Sequence, residues 1–204
     1  MTTLHRPTGP AAEFAASFVP EDVILQTARG LAAEVGLSPI TPAVGGALRL
    51  LAAASGAKTV VEIGTGTGVS GLWLLRGMRP DGVFTTIDVE AEHQRMARRL
   101  FVEAGFPASR TRIIAGRALE VLPRLADGVY DLVFIDADPT EYSACVTAAA
   151  RLLRPGGLLV MHAVLASRGA PGTLRDVTLD VRDSEEWLPA LLPVGEGLLA
   201  AVRV

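Results

Sequence analysis

Apolar and polar positions change rhythm twice along the chain, dividing it into a helical lead-in, an alternating middle and a short closing section. From Glu21 onward Ile24, Ala28, Leu31 and Val35 recur at helical spacing and Gly36 supplies a stop. This predicts an amphipathic helix whose stripe needs cover, either from the core or from a second copy of the chain. Thr41 followed by Pro42 is an N-cap and first-turn pair, so a second helix is expected from there to the break at Ser55-Gly56. Residues 1–19, rich in Thr, Pro, Ala and Gly, show little periodicity and read as an N-terminal arm or a short docking helix.

The middle alternates short apolar runs with helical patterns. Strands are expected at 59–63, 83–88, 112–115, 131–136 and 158–164, with helices starting near Val69, Ala91, Ala118 and Glu141. The last of these helices is expected to end at Leu153, before Arg154-Pro155-Gly156-Gly157. Alternating β/α units make a parallel sheet, and strands this apolar on both faces need helices on each side. Past Gly172 a polar helix is expected from about Leu174 to Trp187, and the two apolar runs around Val194-Gly195-Glu196-Gly197 suggest a closing hairpin. No internal repeat or second domain is visible, so residues 20–204 read as one α/β domain behind the arm.

Composition narrows the function. The formal net charge is −3, from 19 basic and 22 acidic residues dispersed along the chain, which does not make the basic stripe of a nucleic-acid binder. A small-molecule substrate fits better. The opening MTTLHRPTGPAAEF lacks a secretory signal's charged start and apolar run, and no later stretch is long enough to span a bilayer. Cys145 stands alone and cannot form an internal disulfide. A cytoplasmic, membrane-free protein is expected. All the basic residues except Lys58 are arginines, so a lysine-dependent mechanism has one candidate.

The chemistry concentrates where the first strand turns into its helix, at Glu62-Ile63-Gly64-Thr65-Gly66-Thr67-Gly68. In a doubly wound sheet this turn lies at the carboxyl ends of the strands, where ligands bind, and glycines let the backbone approach the ligand. Asp88, closing the second strand 24 residues after Gly64, is placed to accept both hydroxyls of a ribose. A dinucleotide site shares these parts, but its third glycine falls where this chain has Val69.

On these residues the chain resembles the class I S-adenosylmethionine-dependent methyltransferases, particularly the caffeoyl-CoA and catechol O-methyltransferase family. VEIGTGTGVSGLWLL looks like their first motif. DGVFTTIDVEAEHQRMARRLFVEAG, YDLVFIDADPTEY, LLRPGGLLV and LLPVGEGLLAAV follow in the family's order over roughly residues 40–204. The resemblance implies a Rossmann-like, doubly wound seven-stranded sheet, mostly parallel with an antiparallel last strand, preceded by N-terminal helices. It implies S-adenosyl-L-methionine as cofactor and a homodimer. It also implies that Glu62, Gly64, Thr65, Gly66 and Gly68 bind the cofactor, the glycines lining its methionine and ribose portions. Ser70 would bind the cofactor carboxylate and Asp88 the ribose. Gly116 and Ala118 would face the adenine and Asp136 the sulfonium.

Departures from the family are as informative. Its metal-dependent members carry D-A-D-K after the fourth strand and an Asp-Asn pair after the fifth; this chain has Asp136-Ala137-Asp138-Pro139 and His162-Ala163. Mg²⁺ needs oxygen ligands, which alanine lacks, so the family's metal and lysine are not carried over and transfer without Mg²⁺ is expected. A softer metal on Asp136 and His162 stays open. His162, at a strand's carboxyl end, is the candidate base, since histidine exchanges a proton near neutral pH; the competing reading is a histidine that only hydrogen-bonds Asp136. The expected function is O-methylation of a small phenolic metabolite, the alternative a non-catalytic binder of the cofactor. Nucleic-acid N-methylation is disfavoured, because no N-P-P-Y or D-P-P-Y run follows the fourth strand.

Overall fold

The computed structural model describes residues 9–166 and 174–204. Three helices lead in: α1 (Pro10–Ser17), α2 (Val23–Glu34) and α3 (Pro42–Ala54). Five β/α repeats and a hairpin follow: β1 (Thr59–Ile63), α4 (Val69–Gly77), β2 (Val83–Asp88), α5 (Ala91–Glu103), β3 (Thr111–Ala115), α6 (Ala118–Val121), β4 (Tyr130–Ile135), α7 (Tyr142–Leu152), β5 (Leu153–His162), α8 (Leu174–Asp183), β6 (Trp187–Leu192) and β7 (Leu198–Arg203). They form a seven-stranded sheet ordered β3-β2-β1-β4-β5-β7-β6. Strands β1 to β5 pair in parallel, while β7 runs antiparallel between β5 and β6. The order reverses direction between β1 and β4. A crevice therefore opens at the carboxyl ends of those two strands.

The strands read as unbroken apolar runs because both faces are covered. Val61, Ile63, Val133, Ile135, Leu159 and Met161 point into one buried cluster with Tyr142 and Trp187. Val60, Leu132, Phe134 and Val160 alternate into the other, with Leu25, Leu48, Trp73 and Phe101. At the opposite end of the sheet from the crevice, Asp131 accepts from Lys58 N at 2.7 Å, Thr59 N at 2.8 Å and Arg154 Nε at 2.7 Å, tying the starts of β1, β4 and β5 together. Lys58 lies at this end too, paired through Nζ with Asp81 at 2.6 Å.

Several expectations shift. Asp22 caps α2 by accepting from Leu25 N at 3.0 Å, and the buried line of that helix is Leu25, Ala28 and Ala32. Ile24 and Leu31 are half-buried against the same cluster and Val35 is exposed, so most of the predicted stripe is spent on the core. Arg154-Pro155-Gly156-Gly157, read as a break, belongs to β5 and enters the sheet through a register shift opposite Tyr130 and Leu132. The helix expected at Ala118 is one turn long and continues as a 3₁₀ turn. The last helix stops at Asp183, because Trp187 already pairs with Arg203. The arm contains α1, and its first eight residues, including His5, lie outside the described residues, as do residues 167–173. No helix among the described residues is long and apolar enough to cross a membrane.

Candidate active site

The ladder of the sheet runs one residue past the strands and so fixes the rim of the crevice. Gly64 N donates to Ile87 O, Asp136 N to Ile63 O and Gly116 N to Asp88 O, each at 2.9 Å. These bonds place Gly64, Asp88, Gly116 and Asp136 side by side at the carboxyl ends of β1 to β4. Gly64 (φ 98°) leaves no room for a side chain: a Cβ there would stand 2.0 Å from Asp136 O.

Two cavities flank this row. One, of about 320 Å³, is lined by Thr65, Gly66, Ser70 and Glu90, and is closed by the loop Leu37–Ile40. The other, of about 410 Å³, is lined by Gly116, Arg117, Ala118, Asp138 and Glu141. Gly64, Asp88 and Asp136 line both. The cavities therefore meet at these residues and form one groove across the switch point, the usual place and size for a small-molecule ligand.

The groove walls are held from behind. Asp88 accepts from Gly66 N and from Glu90 N, each at 2.9 Å, so its carboxylate braces the glycine loop while remaining half-buried at the groove. Thr67 Oγ1 donates to Ala28 O at 2.8 Å, fastening the loop to α2. Arg29 grips Glu21 through Nη2 at 2.7 Å and donates to Ile40 O at 2.9 Å, which holds the covering loop. Arg117 and Glu141 form an ion pair at 3.1 Å beside the second cavity.

Glu62 does not line the groove. It is fully buried beneath it, accepting from Ser70 Oγ and Thr86 Oγ1, each at 2.6 Å, while Thr65 Oγ1 lies 2.7 Å from Thr86 Oγ1. Burial pushes its carboxyl up to about 8, against the two hydroxyl donors and with help from the negative Asp136 and Asp88. Ser70, expected to bind the cofactor carboxylate, is hydrogen-bonded through its hydroxyl to Glu62.

His162 is 7% exposed and lines neither cavity. Its Nδ1 lies 2.9 Å from Asp136 Oδ1. Tyr142 is buried as well, with its hydroxyl 3.2 Å from Ile135 O and 3.1 Å from His162 O, so it ties two strand ends together instead of facing the groove. Asp138 is exposed, accepting from Thr140 N at 2.8 Å as the cap of a 3₁₀ turn. Among the described residues no three His, Cys, Asp or Glu side chains converge. Ala163, directly after His162, takes φ 58°, a left-handed backbone that is strained for alanine and easier for asparagine or glycine.

Sequence reasoning missed the loop Leu37–Ile40, Glu90, His93, Arg117 and Glu141. His93 is half-buried and lines the first cavity. The signal was present, since His93 falls in the first turn of the helix that follows β2 and so sits at the ligand end of the sheet. The covering loop carries no such signal, because its position depends on where α2 and α3 pack.

Comparison with known proteins agrees with this geometry. A family model described as O-methyltransferase matches residues 16–171. A Mycobacterium tuberculosis relative, provisionally named an O-methyltransferase, is 55% identical over 194 residues, covering 91% of this chain and 87% of its own. A Corynebacterium glutamicum crystal structure superposes with a TM-score of 0.87 at 35% identity, covering 96% of this chain and 98% of its own. The crystal structure of the Streptomyces achromogenes O-methyltransferase TomG, involved in tomaymycin synthesis and solved in complex with S-adenosylmethionine, gives 0.82 at 28% identity, covering 94% of each chain.

Proposed function

The chain belongs to the O-methyltransferase family and takes S-adenosylmethionine as methyl donor, and from that premise we propose that it methylates a hydroxyl of a small phenolic acceptor without Mg²⁺. The observation that carries the placement of the donor is the meeting of two cavities at Gly64, Asp88 and Asp136. In this reading Asp88 holds the ribose hydroxyls, Gly116 and Ala118 border the adenine, and Gly64, Thr65 and Gly66 carry the methionine portion, whereas Gly68, expected to do the same, is buried against Ala97 and Phe101 and lines neither cavity. Asp136, shared by both cavities, stands beside the sulfonium, where a carboxylate suits a cation.

When bound, the sulfonium supplies its methyl group to the acceptor oxygen: a C–O bond forms as the C–S bond breaks, the electron pair stays on sulfur, and the hydroxyl proton passes to solvent water. The chain's own contribution is positioning, which supplies much of the barrier reduction in such displacements. The braced glycine loop and the loop Leu37–Ile40 hold the donor, and Asp136 is fixed by its backbone bond to Ile63 and its side-chain bond to His162. His162 acts through Asp136 as a positioning residue, a reading supported by its burial and its absence from the cavity walls.

The donors do not fit Mg²⁺. At the family's three ligand positions stand Asp136, a histidine nitrogen already engaged by that aspartate, and the methyl of Ala163. A hard cation needs about six oxygen ligands. A cytoplasmic homodimer completes the proposal. Because α2 spends its stripe on the core, the apolar residues that the helical lead-in leaves exposed for a second copy include Phe14 and Phe18, whose rings pack edge to face, with Val23 and Leu50.

Transfer of labelled methyl to a panel of phenols, run with and without chelator, tests the reaction. Unchanged turnover in chelator is expected, and activity abolished by chelator and restored by Mg²⁺ would overturn the metal-free reading. His162→Ala should lower kcat by roughly tenfold while weakening cofactor binding. A loss of about 10²-fold or more in kcat at unchanged cofactor affinity would make His162 the general base instead. Tight cofactor binding with no acceptor turned over would leave a cofactor-binding protein.

A further inference from the structure

Glu62 is the one fully buried carboxyl group among the described residues, and the first cavity touches it only through hydroxyls. Counting protons gives those hydroxyls a direction. An ionised carboxylate only accepts, and a hydroxyl has one proton to give. With Glu62 ionised, Ser70 and Thr86 both donate to it, and Thr86, its proton spent, accepts from Thr65. Ser70 and Thr65, which line the cavity, then turn only lone pairs toward it. Such a floor accepts hydrogen bonds and suits an ammonium, which is all donor. With Glu62 protonated, its own O–H reverses one arm of the chain and leaves one hydroxyl proton, from Ser70 or Thr65, aimed at the cavity.

We propose that Glu62 is a positioning residue for the ammonium of the cofactor's methionine portion, acting through Ser70 and Thr86–Thr65, and that capture of the cofactor releases a proton from this carboxyl. The inference rests on the cofactor placement above. Charge around the site favours the ammonium over the cofactor's carboxylate, because Asp88, Glu90 and Asp136 line the same cavity and His93 of α5 is its only basic residue among those described. The charged groups facing Glu62 are Asp88 at the end of β2 and Asp136 beyond β4, both carboxylates, while α4 contributes only Ser70. They raise the cost of ionising Glu62 in the empty groove, and a bound cation lowers it. With the carboxyl at about 8, the empty protein carries the proton at neutral pH and the loaded protein does not.

Calorimetric titration with adenosylhomocysteine, which keeps the ammonium and lacks the reacting methyl, provides the test. Affinity should rise with pH toward 8, by up to about tenfold per pH unit, and repeating the titration in buffers of different ionisation heat should show release approaching one proton per ligand at about pH 6.5. Glu62→Gln, which fixes the neutral arrangement, should bind weakly and without this slope. His93→Gln should keep the slope, which separates the buried carboxyl from the histidine in the same cavity. Thr86→Val should keep the Ser70 arm and lose only part of the affinity. Binding with no proton release in the wild type, or an unchanged slope in Glu62→Gln, would overturn the inference. If Glu62→Gln fails to fold, the wild-type proton count combined with His93→Gln decides. No binding at any pH would overturn the cofactor placement and this inference with it, whereas binding without proton release overturns this inference alone.

Discussion

Replacing Gly64 with alanine probes how closely β1 and β4 approach at the switch point. The added Cβ would stand 2.0 Å from Asp136 O, whereas at Gly66 the nearest atom to such a Cβ is Leu37 Cδ1 at 3.7 Å. A backbone carbonyl cannot rotate aside like a leucine tip. Relief of roughly 1 Å must come from parting β1 and β4 where Asp136 N donates to Ile63 O. Overpacking of this kind costs about 1–3 kcal/mol. The positive φ of 98° adds about 1–2 kcal/mol for a residue with a side chain. Gly64→Ala should therefore lose about 2–5 kcal/mol, and Gly66→Ala, with the left-handed backbone alone, about 1–2 kcal/mol. Urea unfolding followed by circular dichroism reads both, and calorimetry with adenosylhomocysteine should find the groove lost in Gly64→Ala and weakened in Gly66→Ala. Equal losses at the two positions, or a Gly64→Ala protein within about 0.5 kcal/mol of wild type, would refute the geometry.

Three further outcomes are expected. Asp88→Ala should weaken adenosylhomocysteine by roughly 1.5–3 kcal/mol in calorimetry, since it removes both the ribose acceptor and the brace on Gly66 N; unchanged affinity would remove Asp88 from the site. Ala163→Gly should raise stability in urea by about 1 kcal/mol by relieving the left-handed backbone, and a loss there would show that the alanine methyl is packed. Asp131→Ala should cost about 2–3 kcal/mol. Burial opposes ionisation of Asp131, but donors from Thr59, Arg154 and Lys58 outweigh it and hold the carboxyl below its ordinary 3.8. Its stabilisation is therefore full above that value and is lost as pH falls through the lower folded one, so the acid unfolding profile of Asp131→Ala should converge on wild type at low pH.

The sequence by itself determined the β/α rhythm, the strand ends to within a few residues, and the glycine loop with Asp88 and Asp136 beside it. These are local signals: apolar period fixes element type, and a strand followed by a glycine-rich turn marks the ligand end wherever the rest of the chain goes. The departures at Pro139 and Ala163 were legible for the same reason, being statements about residue type at a known place in the order. Tertiary structure alone decided which line of α2 is buried, because that depends on the helices and strands packed beside it. It alone brought Leu37–Ile40 over the groove and set His162 behind Asp136. It also decided the direction of Ser70's proton, which follows from a carboxyl eight residues away and a threonine on the neighbouring strand. Each of these depends on partners brought together through space, and the polarity of a hydroxyl or the role of a histidine is a property of those partners instead of the residue's own place in the chain.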